Sequence, residues 1–162
     1  SPGGNARVGN EAVRLIRENG LLTRIPQGWA CFSACNFLFM GGNARFVEPG
    51  GLFIVHMFTH TSDRDAIRSQ VAQGEDNTVS LIGEIEQSSA LLASEDNDFL
   101  IRMGVSRRLL TEVMYQVRAV ADEQDRATRR CLTQDEVVRY NVATAPWTGP
   151  ASNVAQTSEP GK

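Results

Sequence analysis

The run Gly28–Gly42, GWACFSACNFLFMGG, decides how the rest of the chain reads. One hydroxyl, Ser33, sits inside an otherwise apolar segment. Ala30 precedes it, Ala34 follows it, and Cys31 and Cys35 lie two positions to either side. The run closes on Gly41-Gly42. An apolar strand that passes through a small-residue turn into a buried helix would hold Ser33 at the helix N-terminus. Main-chain N–H groups without intrahelical acceptors and the helix dipole favour developing negative charge there. An activated serine gains from that place. Serine is also a good N-cap, which gives the same residue a purely structural role.

Upstream, Ser1-Pro2-Gly3-Gly4 reads as a flexible turn. Ala6–Asn19 has helical spacing, with Val8, Ala12, Leu15 and Ile16 on one face and Arg7, Arg14, Arg17 and Glu18 on the other. Gly20 is its stop. Leu21–Ile25 is a short strand, broken by Pro26-Gln27-Gly28. The central run then gives a strand near Trp29–Phe32 and a helix from Ser33 to Met40. Ala44–Val47 is a further strand, Pro49-Gly50-Gly51 a turn, and Leu52-Phe53-Ile54-Val55 an apolar strand ending at His56. Turn, helix, strand, helix is the rhythm of an α/β domain with a parallel sheet. A histidine just past a buried strand stands where such folds place site residues; the plainer alternative is a loop histidine. His60 reads as a loop residue. A metal pair at i, i+4 needs a helix, whereas VHMFTHT reads as strand and loop, so no metal is expected there.

Asp63–Ser94 reads as helical through Ile67, Val71, Val79, Ile82 and Ile85, with Gly74 and Asn77 as interruptions. Glu95–Met103 continues it, and Gly104 ends it. Ser106 caps a further helix carrying Leu109, Leu110, Val113 and Met114. Arg118–Arg130 is charged. Thr133-Gln134-Asp135-Glu136 has capping-box spacing and opens a short helix through Val137, Val138 and Tyr140. Ala145–Lys162 has the composition of a disordered tail.

The 162 residues amount to about one domain, and 41% apolar with 22% charged content is ordinary for a globular chain. A net charge of −3 lacks the basic face that nucleic-acid binding needs. No run approaches the ~20 apolar residues of a membrane helix. Cys31 and Cys35 either bridge in an oxidising compartment, leaving Cys131 over, or all three cysteines are small buried hydrophobes. C-x₃-C with no further Cys or His pair nearby is not a zinc site. No cofactor is expected.

Gly4, Ser33 and His56 share one explanation. A nucleophile needs a base within hydrogen-bond reach, and an acyl intermediate needs N–H donors at its oxyanion. The N–H groups of Gly4 and Ala34 would supply them, and glycine at the first lets a carbonyl approach the backbone closely. The order of SPGG, helix, strand, small-Ser-small, helix, glycine, β-turn, apolar strand and His56 resembles the Clp-protease family of serine peptidases, within the crotonase-like superfamily. Gly104–Leu110 and Leu132-Thr133 to Tyr140-Asn141-Val142 resemble that family's later helices. The likeness covers about residues 1–144 and is closer to divergent, often extracytoplasmic bacterial Clp-like proteins than to the ATP-dependent subunit.

The resemblance implies an α/β crotonase-like spiral of βαβ units with a parallel sheet and additional C-terminal helices. It implies one domain over residues 1–144, with upstream strands missing, before a tail over 145–162. Ser33 would be the nucleophile and His56 the base, with an oxyanion hole of Gly4 and Ala34. The substrate would be a peptide or protein, the assembly a homo-oligomer, and the compartment periplasmic rather than cytoplasmic. The helical stretch Asp63–Met103, with apolar Phe99-Leu100-Ile101, is the expected interface. Two departures stand out. The serine lies between Phe32 and Ala34, inside the two cysteines. A gapless match from Gly104 places Val117 where the family carries its catalytic acid; Asp125, or failing it Asp122, serves only if an insertion has shifted the loop. Without either, Ser33 and His56 form a dyad or the site is inactive. A non-catalytic Clp-like protein serving assembly or peptide binding is therefore the chief alternative. A crotonase-type enzyme acting on acyl-CoA thioesters is the other, and the pair Ser33 and His56 counts against it because that chemistry uses carboxylates.

Overall fold

The structure, a computed structural model, describes residues 6–57, 64–120 and 128–150, with main chain alone at 6–10. Local chemistry sets the first boundaries. Helix α1 (Ala6–Glu18) ends at Gly20, whose φ of +63° lets Leu21 N–H return to Ile16 O at 3.0 Å. Strand β1 (Leu22–Ile25) pairs in parallel with β3 (Ala44–Val47), from Leu22↔Ala44 to Ile25↔Val47. Strand β2 (Ala30–Phe32) pairs in parallel with β4 (Leu52–His56), from Ala30↔Leu52 to Phe32↔Ile54. Helix α2 (Ala34–Met40) follows β2. Parallel pairing requires a crossover, and α2 lies in the crossover of both pairs. Strand β5 (Arg129–Cys131) gives the second sheet the order β2-β4-β5. It falls in the stretch that reads only as charged, because Arg129 and Arg130 are both exposed and carry no alternation. The chain is thus a mixed helix and strand protein with small sheets, in keeping with the α/β class.

The described residues form two compact units, one drawn from residues up to Val55 and from Cys131 onward, the other from His56–Arg130. In the first, Phe39 of α2 meets Phe53 of β4 at 5.8 Å between ring centroids. Buried Arg45 ties the C-terminal segment to the end of α2. Its Nε donates to Val142 O at 2.8 Å, its Nη2 to Asn141 O at 2.8 Å, and its Nη1 to Gly42 O at 3.0 Å and Met40 O at 3.3 Å. Thr144 N–H donates to Arg45 O at 3.0 Å. Burial, and then Arg17, brings the Arg45 pKa down to about 10, so the guanidinium stays charged at neutral pH. Buried Glu48 accepts from Gln27 N–H at 3.0 Å and meets Arg24 Nε at 3.5 Å. Helix α6 (Gln134–Arg139) opens with the capping box expected of Thr133 and Glu136. Trp147, in the segment whose composition reads as a tail, packs edge-on to Phe46 at 5.7 Å, with Arg24 over its face at 5.5 Å. Residues 151–162 lie outside the described residues.

In the second unit, α3 (Arg64–Ala72) and α4 (Glu75–Met103) are separated at Gly74, not at Asn77, which sits in the first turn of α4. Gly104, at φ +67°, ends α4, and Val105 N–H reaches back to Leu100 O at 2.9 Å. Helix α5 (Arg108–Glu112) and a 3-10 turn (Met114–Gln116) follow. Phe99, Leu100, Met103, Leu109, Leu110 and Val113 are the buried core. This corrects the expectation that Phe99-Leu100-Ile101 is an exposed interface. Positions 99, 100 and 103 share one helical face, and only Ile101, 54% exposed, points away.

Candidate active site

The residue that the sequence singles out sits in a backbone conformation that L-residues avoid. Ser33 has φ 58° and ψ −127°. That lies outside both the right-handed and left-handed helical regions, and such geometry costs about 1–3 kcal/mol. Among the described residues, Asn141 is the only other non-glycine with positive φ. Ser33 forms the sharp turn from β2 into α2, a strand-to-helix elbow of the kind that exposes the nucleophile in α/β-hydrolases. It occupies the N-cap position, yet its side chain makes no cap hydrogen bond. The capping role is therefore not what fixes a serine there. Its carbonyl accepts from Asn36 N–H at 2.8 Å. Ala34, the first residue of α2, is buried, and its N–H has no intrahelical acceptor.

A disulfide joins Cys31 to Cys35, with Cα atoms 5.3 Å apart, and so spans Ser33 from β2 to the first turn of α2. The reading of all three cysteines as buried hydrophobes is overturned: two are bridged, and Cys131 is free and exposed. The reason is local. The elbow folds the strand end back over the helix start, which brings positions i and i+4 to bridging distance.

The strand pair orders the other candidates. The chain leaves β2 through Ser33 and leaves its parallel neighbour β4 through His56, at the carboxyl ends where α/β sheets place their sites. His56 is half-buried, and its Nδ1 lies 3.0 Å from Met57 O. A carbonyl only accepts, so in this contact Nδ1 is the donor. Asn36 is a residue that sequence reasoning passed over. It is buried on α2, and its Nδ2 donates to Ile54 O at 2.7 Å, two residues before His56. Its Oδ1 is buried and has no partner among the described residues. A lone amide in an apolar helical run was the available signal, since a buried polar group needs a reason.

Gly4, Asp122, Asp125 and His60 lie outside the described residues. Val117, which the Clp-protease resemblance would align with an acid, is buried. Elsewhere, Asp96 of α4 is buried, and burial, then Glu95, pushes its carboxyl pKa up to about 6. Burial of the Tyr115 hydroxyl, then the charge of Asp96, raises the Tyr115 pKa, and that hydroxyl has no partner among the described residues. Among the described residues, no group of three His, Cys, Asp or Glu could hold a metal, and no helix is long and apolar enough to cross a membrane.

Comparisons with family models, with curated proteins and with solved structures gave no match to this chain.

Proposed function

We propose that the protein is a serine hydrolase of the Clp-protease-like kind, cleaving peptide bonds through Ser33 and His56 on a crotonase-like spiral. The observation that carries this reading is the elbow at Ser33: a strained serine at a strand-to-helix turn whose hydroxyl does not cap the helix. Strain of this kind collects at functional sites, where the geometry is part of the mechanism. In the proposed reaction Ser33 Oγ attacks the peptide carbonyl. His56 Nε2 takes the hydroxyl proton and returns it to the leaving amine. The N–H groups of Ala34 and Gly4 receive the oxyanion. Water then attacks the acyl-enzyme with the same base. The Met57 carbonyl orients the imidazole from Nδ1. A neutral carbonyl holds the tautomer but neutralises an imidazolium less well than a carboxylate. If Asp125 does not serve, turnover is expected to be slower than in a full triad by up to ~10⁴.

The exposed apolar side chains Val79, Ile82 and Leu91 on α4 belong to the homo-oligomer of this proposal. The Cys31–Cys35 bridge agrees with an oxidising, periplasmic compartment. The second reading, a non-catalytic Clp-like protein that binds peptides or supports assembly, is favoured by one observation: buried Val117 stands at the acid's position. Hydrolysis of fluorogenic peptides and activated esters by the full chain separates the two. Cleavage abolished in both Ser33→Ala and His56→Ala supports the peptidase. Peptide binding without cleavage, unchanged in Ser33→Ala, supports the non-catalytic reading.

A further inference from the structure

We propose that the Cys31–Cys35 bridge is a thiol–disulfide exchange site, reduced by a dithiol, that switches Ser33 between a competent and a relaxed state. The inference rests on the reading of Ser33 as a nucleophile.

The position of the bridge carries it. Ser33 is the midpoint of the short loop that the bridge closes, and its own side chain makes no cap hydrogen bond there. A strained conformation persists only where its surroundings over-determine it. On one side, Cys31 is fixed in β2 opposite Phe53. On the other, Asn36 fixes α2 through Ile54 O. The disulfide is the covalent link that joins these two anchors across the elbow. A bridge over so short a loop restrains the unfolded chain less than one closing a long loop, so global stability is the smaller part of what it does. Its larger effect is on the local geometry of the residue between its ends.

The two sulfurs also differ in access. Cys31 is 3% exposed, whereas Cys35 is half-buried. An incoming thiolate therefore attacks Cys35 Sγ. The S–S bond breaks, a mixed disulfide forms at Cys35, and Cys31 leaves as a thiolate that takes a proton. The second thiolate of the reductant attacks the mixed disulfide, closes its own disulfide and releases the Cys35 thiolate, which is protonated in turn. Two electrons pass from the dithiol to the protein cystine. With the link gone, Ser33 relaxes from φ 58°, and Oγ leaves its aligned position; a displacement of about 1 Å costs on the order of 10²-fold in rate.

The test follows labelling of the full chain by a fluorophosphonate probe before and after equilibration with dithiothreitol, and again after reoxidation. Thiols are counted by maleimide mass shift, and folding is followed by circular dichroism. Cys31→Ser/Cys35→Ser supplies the unbridged form without reductant, and Cys131→Ser reports on the free cysteine. The expected result is one free thiol and labelling at Ser33 in the oxidised protein. After reduction there are three thiols and labelling about 10²-fold slower, restored on reoxidation, while the double variant stays slow and folded and Cys131→Ser behaves as the parent. Equal labelling in the bridged and reduced states overturns the switch and leaves the nucleophile standing. Three free thiols in the oxidised protein overturn the switch as well. No labelling of bridged, folded protein overturns both this inference and the reading of Ser33 on which it rests.

Discussion

Arg45 and Asp96 are both ionisable side chains withdrawn from water, one in each unit of the molecule. Their surroundings differ. Arg45 donates to the carbonyls of Met40, Gly42, Asn141 and Val142. Asp96 is held toward the neutral form by burial, then by Glu95. The unit that carries Ser33 uses its interior polar groups to fix main chain. Arg45 does so at the end of α2, Asn36 in its middle and Glu48 before the turn into β4. Each tie limits how far the elbow can relax, and that is the setting in which a strained residue is kept. The helical unit leaves the Tyr115 hydroxyl without such use among the described residues. The difference teaches where this protein requires fixed geometry.

Breaking the largest tie gives the largest effect. Arg45→Met removes the guanidinium and strands several buried carbonyls, which is expected to cost about 3–5 kcal/mol. Urea titration followed by circular dichroism measures it; a change under about 1 kcal/mol would erase the contrast between the units. The opposite sign is expected at Asp96. Its folded pKa of about 6 lies above the unfolded value near 3.9. Between these values the folded state binds more protons than the unfolded one, so stability falls as pH rises from about 4 to about 6 and stays reduced above. Asp96→Asn removes this loss and is expected to stabilise the protein at pH 7 by about 2 kcal/mol. Melting temperatures of parent and variant across that range test it, and parallel curves would show that Asp96 is not buried as described.

A smaller effect is expected from Asn36→Ala, which leaves Ile54 O without its donor. The cost is about 1–3 kcal/mol, with faster amide hydrogen exchange in α2 than in α4. Exchange rising equally in both helices would mean that the tie is not local to the elbow. The smallest effect belongs to Thr133→Ala, which breaks the capping box of α6 at about 1 kcal/mol. Thermal melts of Thr133→Ser, expected to match the parent, separate the lost cap from a general packing change.

Much of the first unit was legible because its signals are local. Gly20 stops α1, Pro26-Gln27-Gly28 and Pro49-Gly50-Gly51 delimit strands, and Thr133 with Glu136 announces α6. The elbow was legible only as a small-residue turn. Its φ and ψ depend on how β2, α2 and β4 meet, which no local pattern encodes. The disulfide was undecided for the same reason: spacing permits it, but the fold of the elbow determines it. Asn36 gave a signal, a lone amide in an apolar run, without revealing Ile54 O as its partner. Strand β5 was missed because its Arg129 and Arg130 are exposed and show no alternation. Phe99-Leu100 was misplaced onto a surface because an apolar triplet does not say which of its members faces inward until the helix has a neighbour.

The proposed nucleophile is the strained serine, with His56 as its proposed base. The most direct test of this proposal is the rate of fluorophosphonate labelling of the oxidised full chain, with the adduct located by peptide mass, in the parent, Ser33→Ala and His56→Ala. A single adduct on Ser33 is expected, lost in both variants while both remain folded. A folded parent that takes no adduct, or an adduct that persists in Ser33→Ala, would contradict the proposal.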